Sequence, residues 1–174
     1  MTLASVVEHS VRRIVVPVPH DYDVARELYE TLVPAADLTR FYQLGSWQAA
    51  FELAEINAPH GFMAYQRIDL TALMAGSGSF WKATQYLMGN HTIAEPMFRD
   101  DPSVMLHAPL RVLLFADAAG TTNLVMDQPS TVFASYADPD IAAVGLELDK
   151  LVARLIELLG AAVPAEFDGT HPTR

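Results

Sequence analysis

A histidine and a glutamate four residues apart are the pair in this sequence with the clearest capacity for chemistry. His91 and Glu95 lie in the segment HTIAEPMFRD, which we expect to begin a short helix. Residues four apart share one face of a helix, and a carboxylate beside an imidazole can orient it as an acid or base, or help it ligate a metal. The alternative is structural: His91 or Thr92 caps the helix and Glu95 complements its dipole. We take His91 and Glu95 as candidate catalytic residues.

Five further residues near this pair are candidates for ligand binding. Gly89 and Asn90 end a strand in front of the helix, where ligands dock against backbone N–H groups, although the two residues could simply form a turn. Arg111 lies in an apolar strand, where a buried guanidinium needs either a carboxylate partner or an anionic ligand. His107 precedes that strand. Met97 could line an adaptable apolar pocket with other methionines and aromatics, although such residues more often form core.

Composition excludes several classes of function. The chain has no cysteine, which removes thiolate catalysis and cysteine-bound zinc. His60, His91 and His107 come from separate segments without a metal-binding spacing, so we expect no metal. The GSGS turn at 76–79 lacks the remaining residues of a phosphate-binding loop, and we expect no cofactor. A net charge of −10 without a basic run argues against nucleic acid.

The expected location of the protein also follows from what the sequence lacks. The N-terminus has neither the charged region nor the apolar core of a signal peptide. No apolar run approaches the ~18 residues that a membrane-spanning helix needs. We therefore expect a soluble protein of the cytoplasm that does not associate with a membrane.

The elements that must position these residues predict an α+β fold. It consists of a single sheet of about five strands flanked by helices, with a long C-terminal helix. Residues rich in β-branched and aromatic side chains predict strands at 13–18, 61–68, 82–88, 110–115 and 122–126. Helical spacing and N-caps predict helices at 21–32, 47–56, 70–75 and 141–159, and a short one from residue 91 or 92. The nearly all-apolar strand 110–115 should be covered on both faces. Residues 130–136 fit either a strand or a helix.

One domain, residues 12–160, is expected between an N-terminal arm at 1–11 and a flexible tail at 161–174. The helix at 141–159 carries a second apolar row outside its main stripe, formed by Leu146, Val152, Ile156 and Leu159. A surface helix of a monomer has no need of two apolar sides. We therefore expect this helix, or an edge of the sheet, to meet another copy of the chain.

Several short motifs resemble the family called domain of unknown function 302. They are Leu87–Asn90, Glu95–Met97, Pro109–Val112 and the turn at Asp117–Gly120, together with the strand GFMAYQRID at 61–69. The likeness covers roughly residues 12–160. It implies a compact α+β domain with a sheet flanked by helices, often paired as a homodimer, and it implies no activity. Two departures stand out. His91 follows Gly-Asn where the family usually has a proline or lysine-type turn. The family's Ser-Tyr-Asn-Asp-Pro pattern after strand five is matched imperfectly by Met126–Pro129, while Ser135–Pro139 is closer in composition but lies ten residues later.

Together these observations predict a homodimer that binds a small ligand, partly apolar or anionic, or a partner, near the turn at Gly89–Met97. The alternative is an enzyme in which His91 is the acid or base, Glu95 orients it, and Arg111 holds an anionic group of the substrate. A third possibility is an interaction protein whose only functional surface is the dimer face.

Overall fold

The computed structural model describes residues 4–167, and within them the predicted α+β fold is confirmed. Five strands form one sheet in the order β1-β5-β4-β3-β2, and every neighbouring pair is antiparallel. The strands are β1 (Arg13–Val18), β2 (Met63–Asp69), β3 (Ala83–Gly89), β4 (Leu110–Ala116) and β5 (Thr122–Asp127). Each begins and ends within two residues of the predicted segment, because glycine, proline and acidic turn residues bound the apolar runs.

Seven α-helices accompany the sheet in residues 4–167. They are α1 (Tyr22–Leu32), α2 (Leu38–Tyr42), α3 (Trp47–Asn57), α4 (Leu70–Met74), α5 (His91–Asp100), α6 (Pro129–Phe133) and α7 (Pro139–Leu158). Ser46, Asp69 and Asp138 accept hydrogen bonds from first-turn N–H groups of α3, α4 and α7, as typical N-caps do. The ambiguous segment 130–136 is helical: α6 continues into a 3-10 turn at Ala134–Tyr136.

The core lies on one face of the sheet. Alternate strand residues face it and are at most 7% exposed, among them Ile14, Val16, Val18, Leu110, Val112 and Leu114. Residues of α1, α5 and α7 pack against them in the same cluster. The opposite face is open: Val15 is 53% exposed, Arg111 is exposed, and Leu113 is partly exposed. The prediction that β4 is covered on both faces is therefore wrong for this chain by itself, because its core-distal residues reach solvent.

Helix α7 is covered by its own chain on two sides. Val152 and Ile156, which belong to the second apolar row, are 0% exposed, and so is Leu159. Leu146 is the exception in that row at 51% exposed. The row packs inside the domain, so it does not by itself require a second copy of the chain.

A buried carboxylate joins α7 to the end of β5 and the start of α6. Asp149 is 5% exposed. It accepts hydrogen bonds from the Gln128 side-chain amide at 2.6 Å, the Ser130 hydroxyl at 2.6 Å and the Ser130 backbone N–H at 2.9 Å. Gln128 in turn accepts from the Arg12 guanidinium at 2.7 Å. A buried carboxylate is tolerated when its oxygens are hydrogen-bonded in this way.

The two ends of the described chain differ. Residues 4–11, in the predicted arm, form neither helix nor strand and are exposed. At the other end, residues 161–167 lie on the domain: Ala161 and Val163 pack against the core, and Phe167 is 8% exposed. The rest of the predicted flexible tail, and the first three residues of the arm, lie outside the described residues. Within 4–167, no helix combines the length and apolarity needed to cross a membrane.

Candidate functional site

A cavity of about 240 Å³ lies beside the turn from β3 into α5. Gly89 and Asn90 border it at the end of β3, and Met97 borders it from α5. Its other walls are almost entirely apolar, formed by Ile93, Ala94, Met105, Leu110, Phe133 and Leu148. Helix α5 follows the end of β3 directly. It packs on the core through Met97, which is 1% exposed, and the cavity lies between this helix and the end of the sheet.

Tyr65 supplies the polar contact of this cavity. Its hydroxyl oxygen lies 2.9 Å from the backbone nitrogen of His91, whose N–H it accepts, and 2.9 Å from Nδ1 of the same residue. The hydroxyl can reach both atoms because Tyr65 lies in a β-bulge: Ala64 pairs with Met88 and Gln66 with Leu87, which leaves Tyr65 without a partner on β3. A bulge redirects a side chain in this way.

Burial sets the protonation of this pair. It raises the pKa of Tyr65 to about 12, so the phenol keeps its proton at neutral pH. Burial also lowers the pKa of His91, which favours a neutral imidazole. A neutral ring has one accepting nitrogen, and assigning that role to Nδ1 gives the single Tyr65 proton an acceptor. In this assignment Nε2 carries the His91 proton.

Aromatic rings surround the imidazole on its other side. The ring centre of Phe41 lies 4.4 Å from that of His91 in an edge-on contact, and that of Trp47 lies 6.0 Å away. These rings, with Tyr42, border a second cavity of about 510 Å³ that also reaches Tyr65 and His91. Tyr65, Phe41 and Trp47 were not predicted as site residues, because the hairpin register and the bulge that bring Tyr65 to His91 leave no local sequence signal.

The amide groups at the start of α5 are already occupied. The Asn90 side-chain oxygen accepts from the Thr92 backbone N–H at 3.0 Å and from the Thr92 hydroxyl at 2.7 Å, so the cap is Asn90 rather than His91 or Thr92. The His91 N–H donates to Tyr65. The N–H groups of Ile93 and Ala94 donate to the Asn90 carbonyl. The backbone N–H groups of residues 91–94 therefore all have acceptors within the protein and are not the free amides that the sequence suggested.

Glu95 is directed away from His91. It accepts three hydrogen bonds from Arg99, at 2.7 to 3.0 Å, on the exposed side of α5. Both His91 and Arg99 are four residues from Glu95. The carboxylate pairs with Arg99 because the charged guanidinium offers several donors and both groups stay in contact with solvent. The predicted orientation of His91 by Glu95 is not what the structure shows, since Tyr65 contacts Nδ1 instead.

His107 and Arg111 do not reach the cavity beside α5. Both border another cavity of about 320 Å³, which Asp127 also lines. Arg111 is exposed on the open face of the sheet, so the premise of a buried guanidinium is wrong. The predicted site residues therefore separate into three groups: Gly89, Asn90, His91 and Met97 at the first cavity, Glu95 on the surface, and His107 with Arg111 at the other cavity.

One group of three potential metal ligands occurs within residues 4–167. Carboxylate oxygens of Asp100, Asp138 and Asp140 lie within 4.8 Å of one another. Asp138 already caps α7 through two hydrogen bonds. Acidic groups at exposed helix ends are common, and none of these three residues borders either cavity that holds predicted site residues.

Comparison with known proteins bears on the fold and the family. The family described as Domain of unknown function DUF302 matches residues 46–161, more than half of the chain. A solved structure, the crystal structure of an uncharacterized conserved protein DUF302 from Bacillus stearothermophilus, is similar with a TM-score of 0.62. It is 14% identical in sequence, and the likeness covers 84% of this chain and 97% of the other. No protein with a curated description matches.

Proposed function

This chain belongs to the DUF302 family, as its motifs predicted, and we propose that it binds a small, mainly apolar molecule that carries one hydrogen-bonding group. The observation that carries this proposal is the cavity of about 240 Å³ beside α5, with apolar walls and a single polar pair, Tyr65 and His91. Binding sites for small molecules combine apolar walls with a few placed polar groups in this way.

The size and polarity of the cavity define the class of ligand. Cavities lined by aliphatic and aromatic side chains stay dry and accept apolar molecules. His91 adds one hydrogen-bonding position, suited to a hydroxyl or carbonyl group. The half-exposed aromatic rings on the far side of His91 provide a surface on which a flat group of the ligand can pack. Arg111 does not border this cavity, so a neutral ligand fits better than an anionic one.

Tryptophan fluorescence offers a direct test with a 4-alkylphenol series from phenol to 4-butylphenol. Trp47 lies beside His91, while Trp81, the other tryptophan, borders a different part of the surface. In a Trp81→Phe protein we expect saturable changes in Trp47 emission. Affinity should rise about fourfold for each added methylene until the cavity is full, as burial of ~0.8 kcal/mol per methylene implies.

Two matched substitutions make this test specific. Ala94→Leu fills the cavity from α5 and should abolish the dependence on chain length. Ala143→Leu adds the same side chain at an exposed position of α7 and should leave binding unchanged. Equal affinity across the phenol series, or equal behaviour of both variants, would contradict the proposal.

General acid-base catalysis by His91 is a second candidate function. It is supported by the contact between the Tyr65 hydroxyl and Nδ1, and by the lowered pKa of the imidazole. This role requires the other tautomer, in which Nδ1–H donates to the Tyr65 oxygen and Nε2 is free to accept a proton from a bound substrate. Hydrolysis of 4-nitrophenyl acetate above the buffer rate, lost in His91→Gln and retained in Glu95→Gln, would support it. Equal rates in all three proteins would reject it.

Pairing of two copies remains part of the proposal, now through the sheet rather than through α7. Val15, Val125 and Leu113 form an apolar row across β1, β5 and β4 on the open face. Val15 is 53% exposed at the centre of β1. An apolar row of this kind, flanked by charged residues, suits an isologous contact between two copies. The cysteine-free composition is compatible with the cytoplasm, where we place the protein.

A further inference from the structure

The cavity lined by His107, Arg111 and Asp127 is separate from the proposed ligand site. Its volume is about 320 Å³, and the remaining walls include Leu106, Pro109 and Val132. Pro109 and Leu110 border both cavities. The start of β4 therefore separates His107 and Arg111 from His91. His107 and Arg111 share their cavity with Asp127.

Two arginines lie on this face of the sheet in an otherwise acidic protein. The chain has 11 lysines and arginines against 21 acidic residues. Asp127 of β5 lies opposite Arg13 of β1 in the register of the sheet. Met126 pairs with Val112 across β5 and β4, which places Arg111 beside Asp127 on the same face. Two arginines thus flank one aspartate, and the formal charges of these three side chains add up to +1.

Neither arginine is held by a carboxylate. Five ion pairs within 4.0 Å occur in the part of the chain that the structure describes, and none includes Arg13, Arg111 or Asp127. The exposed Arg111 guanidinium keeps its planar set of donors available, in the arrangement that binds carboxylate or phosphate oxygens bidentately.

Two histidines lie beside these charged residues. The ring of His9 lies 6.2 Å from that of His107 in an edge-on contact, and Tyr136 contacts the other side at 6.1 Å. Burial lowers the pKa of His107, and the nearby His9 and Arg111 lower it further, while Asp127 opposes them. His9, Arg111 and Asp127 therefore lie within electrostatic reach of His107.

We propose that this cavity binds a small oxyanion, the carboxylate or phosphate group of a metabolite. Arg111 donates two hydrogen bonds to it and His107 donates a third. Asp127 lies between Arg111 and Arg13 on the same face of the sheet. This site is independent of the cavity beside α5, so either one can fail without the other.

Calorimetric titration with inorganic phosphate and, separately, with acetate tests the site, with sodium chloride at equal ionic strength as the reference. The tighter of the two anions identifies which group the site prefers. Arg111→Gln should weaken binding roughly ten- to a hundredfold, as loss of a bidentate charged contact implies. Arg154→Gln removes an exposed arginine from α7 and should leave binding unchanged.

Further variants separate binding from structure. Arg111→Lys keeps the charge but loses the bidentate geometry, and should bind more weakly than wild type and more tightly than Arg111→Gln. His107→Gln should weaken binding less than Arg111→Gln does. Circular dichroism and thermal midpoints verify that each variant is folded.

Four results would overturn the proposal. The first three are equal affinity in Arg111→Gln and wild type, equal losses in Arg111→Gln and Arg154→Gln, and heat changes no larger than those with chloride. A fourth is loss of self-association in Arg111→Gln with unchanged anion affinity, since this would assign Arg111 to a contact between copies.

Discussion

The Tyr65 hydroxyl lies 2.9 Å from both the backbone nitrogen and Nδ1 of His91. This double contact joins the bulge of β2 to the first residue of α5. It fixes the imidazole between an apolar cavity and a group of aromatic rings. The orientation of His91 therefore depends on a residue 26 positions earlier in the chain, not on its helical neighbour Glu95.

We expect Tyr65→Phe to loosen His91 while retaining the fold. The variant loses the acceptor of the His91 N–H and the partner of Nδ1, which together should lower the free energy of unfolding by about 1–2 kcal/mol. Urea titration measures this change, and phenol affinity should fall in parallel. Tyr42→Phe is the matched control, since Tyr42 is 84% exposed at the rim of the second cavity. An equal loss in both variants would contradict a special role for Tyr65.

Substitution of Glu95 should have little effect on the site. Glu95 pairs with Arg99 on the exposed side of α5, and exposed pairs of this kind contribute ~0.5 kcal/mol or less. We therefore expect Glu95→Gln to bind phenols with wild-type affinity, whereas His91→Gln binds them weakly. Fluorescence titration of both proteins is sufficient. A similar loss in Glu95→Gln would restore the predicted His91–Glu95 pair.

The pH dependence of stability should include a contribution from His91. Burial lowers its pKa in the folded state below the ordinary value of 6.5. The unfolded chain then binds more protons in this range, so the stability is fully present above about pH 6.5 and is lost as the pH falls through the folded pKa. Urea midpoints measured from about pH 7.5 down to 5 should fall less steeply in His91→Gln than in wild type. Parallel profiles would show that His91 titrates as it does in the unfolded chain.

Substitution of the buried Asp149 should lower the stability of the protein far more than substitution of an exposed acidic residue of α7. Asp149→Ala leaves the Gln128 amide and both Ser130 donors without their acceptor, which we expect to cost about 3 kcal/mol. Glu147→Ala, at an exposed position two residues earlier, should change stability by less than ~0.5 kcal/mol. Urea unfolding measures both. Similar small changes in the two variants would mean that water replaces the buried carboxylate.

Self-association should depend on the open face of the sheet. Val15 and Val24 are 53% and 54% exposed, on β1 and α1 respectively. We expect Val15→Glu to dissociate the pair and Val24→Glu to leave it intact, because only Val15 lies in the apolar row with Val125 and Leu113. Light scattering after size exclusion gives the molar mass. A wild-type protein that is monomeric at micromolar concentration would exclude this interface.

Local chemistry made most of the fold predictable from sequence. Ser46, Asp69 and Asp138 signal helix starts because their side chains cap the first turn, and the caps form as expected. The same local reasoning placed the five strands and the turn from Gly89 into α5. It also identified Gly89, Asn90, His91 and Met97, which border one cavity because they are close in sequence and the strand-to-helix turn keeps them together.

Tertiary packing decided the remainder. Helical spacing brings His91 and Glu95 to one side of α5. It cannot reveal that the Glu95 carboxylate is hydrogen-bonded to Arg99 instead of His91. The apolar content of β4 suggested two covered faces, yet the helices of the core pack on one of them.

From the sequence by itself came the α+β class, the element boundaries, the family and the strand-to-helix turn at the site. Only the tertiary structure decided that Tyr65 contacts His91 and that Arg111 faces a different cavity. The reason is physical: caps, turns and apolar periodicity act over a few residues, whereas the sheet register and the bulge at Tyr65 join segments that the chain separates.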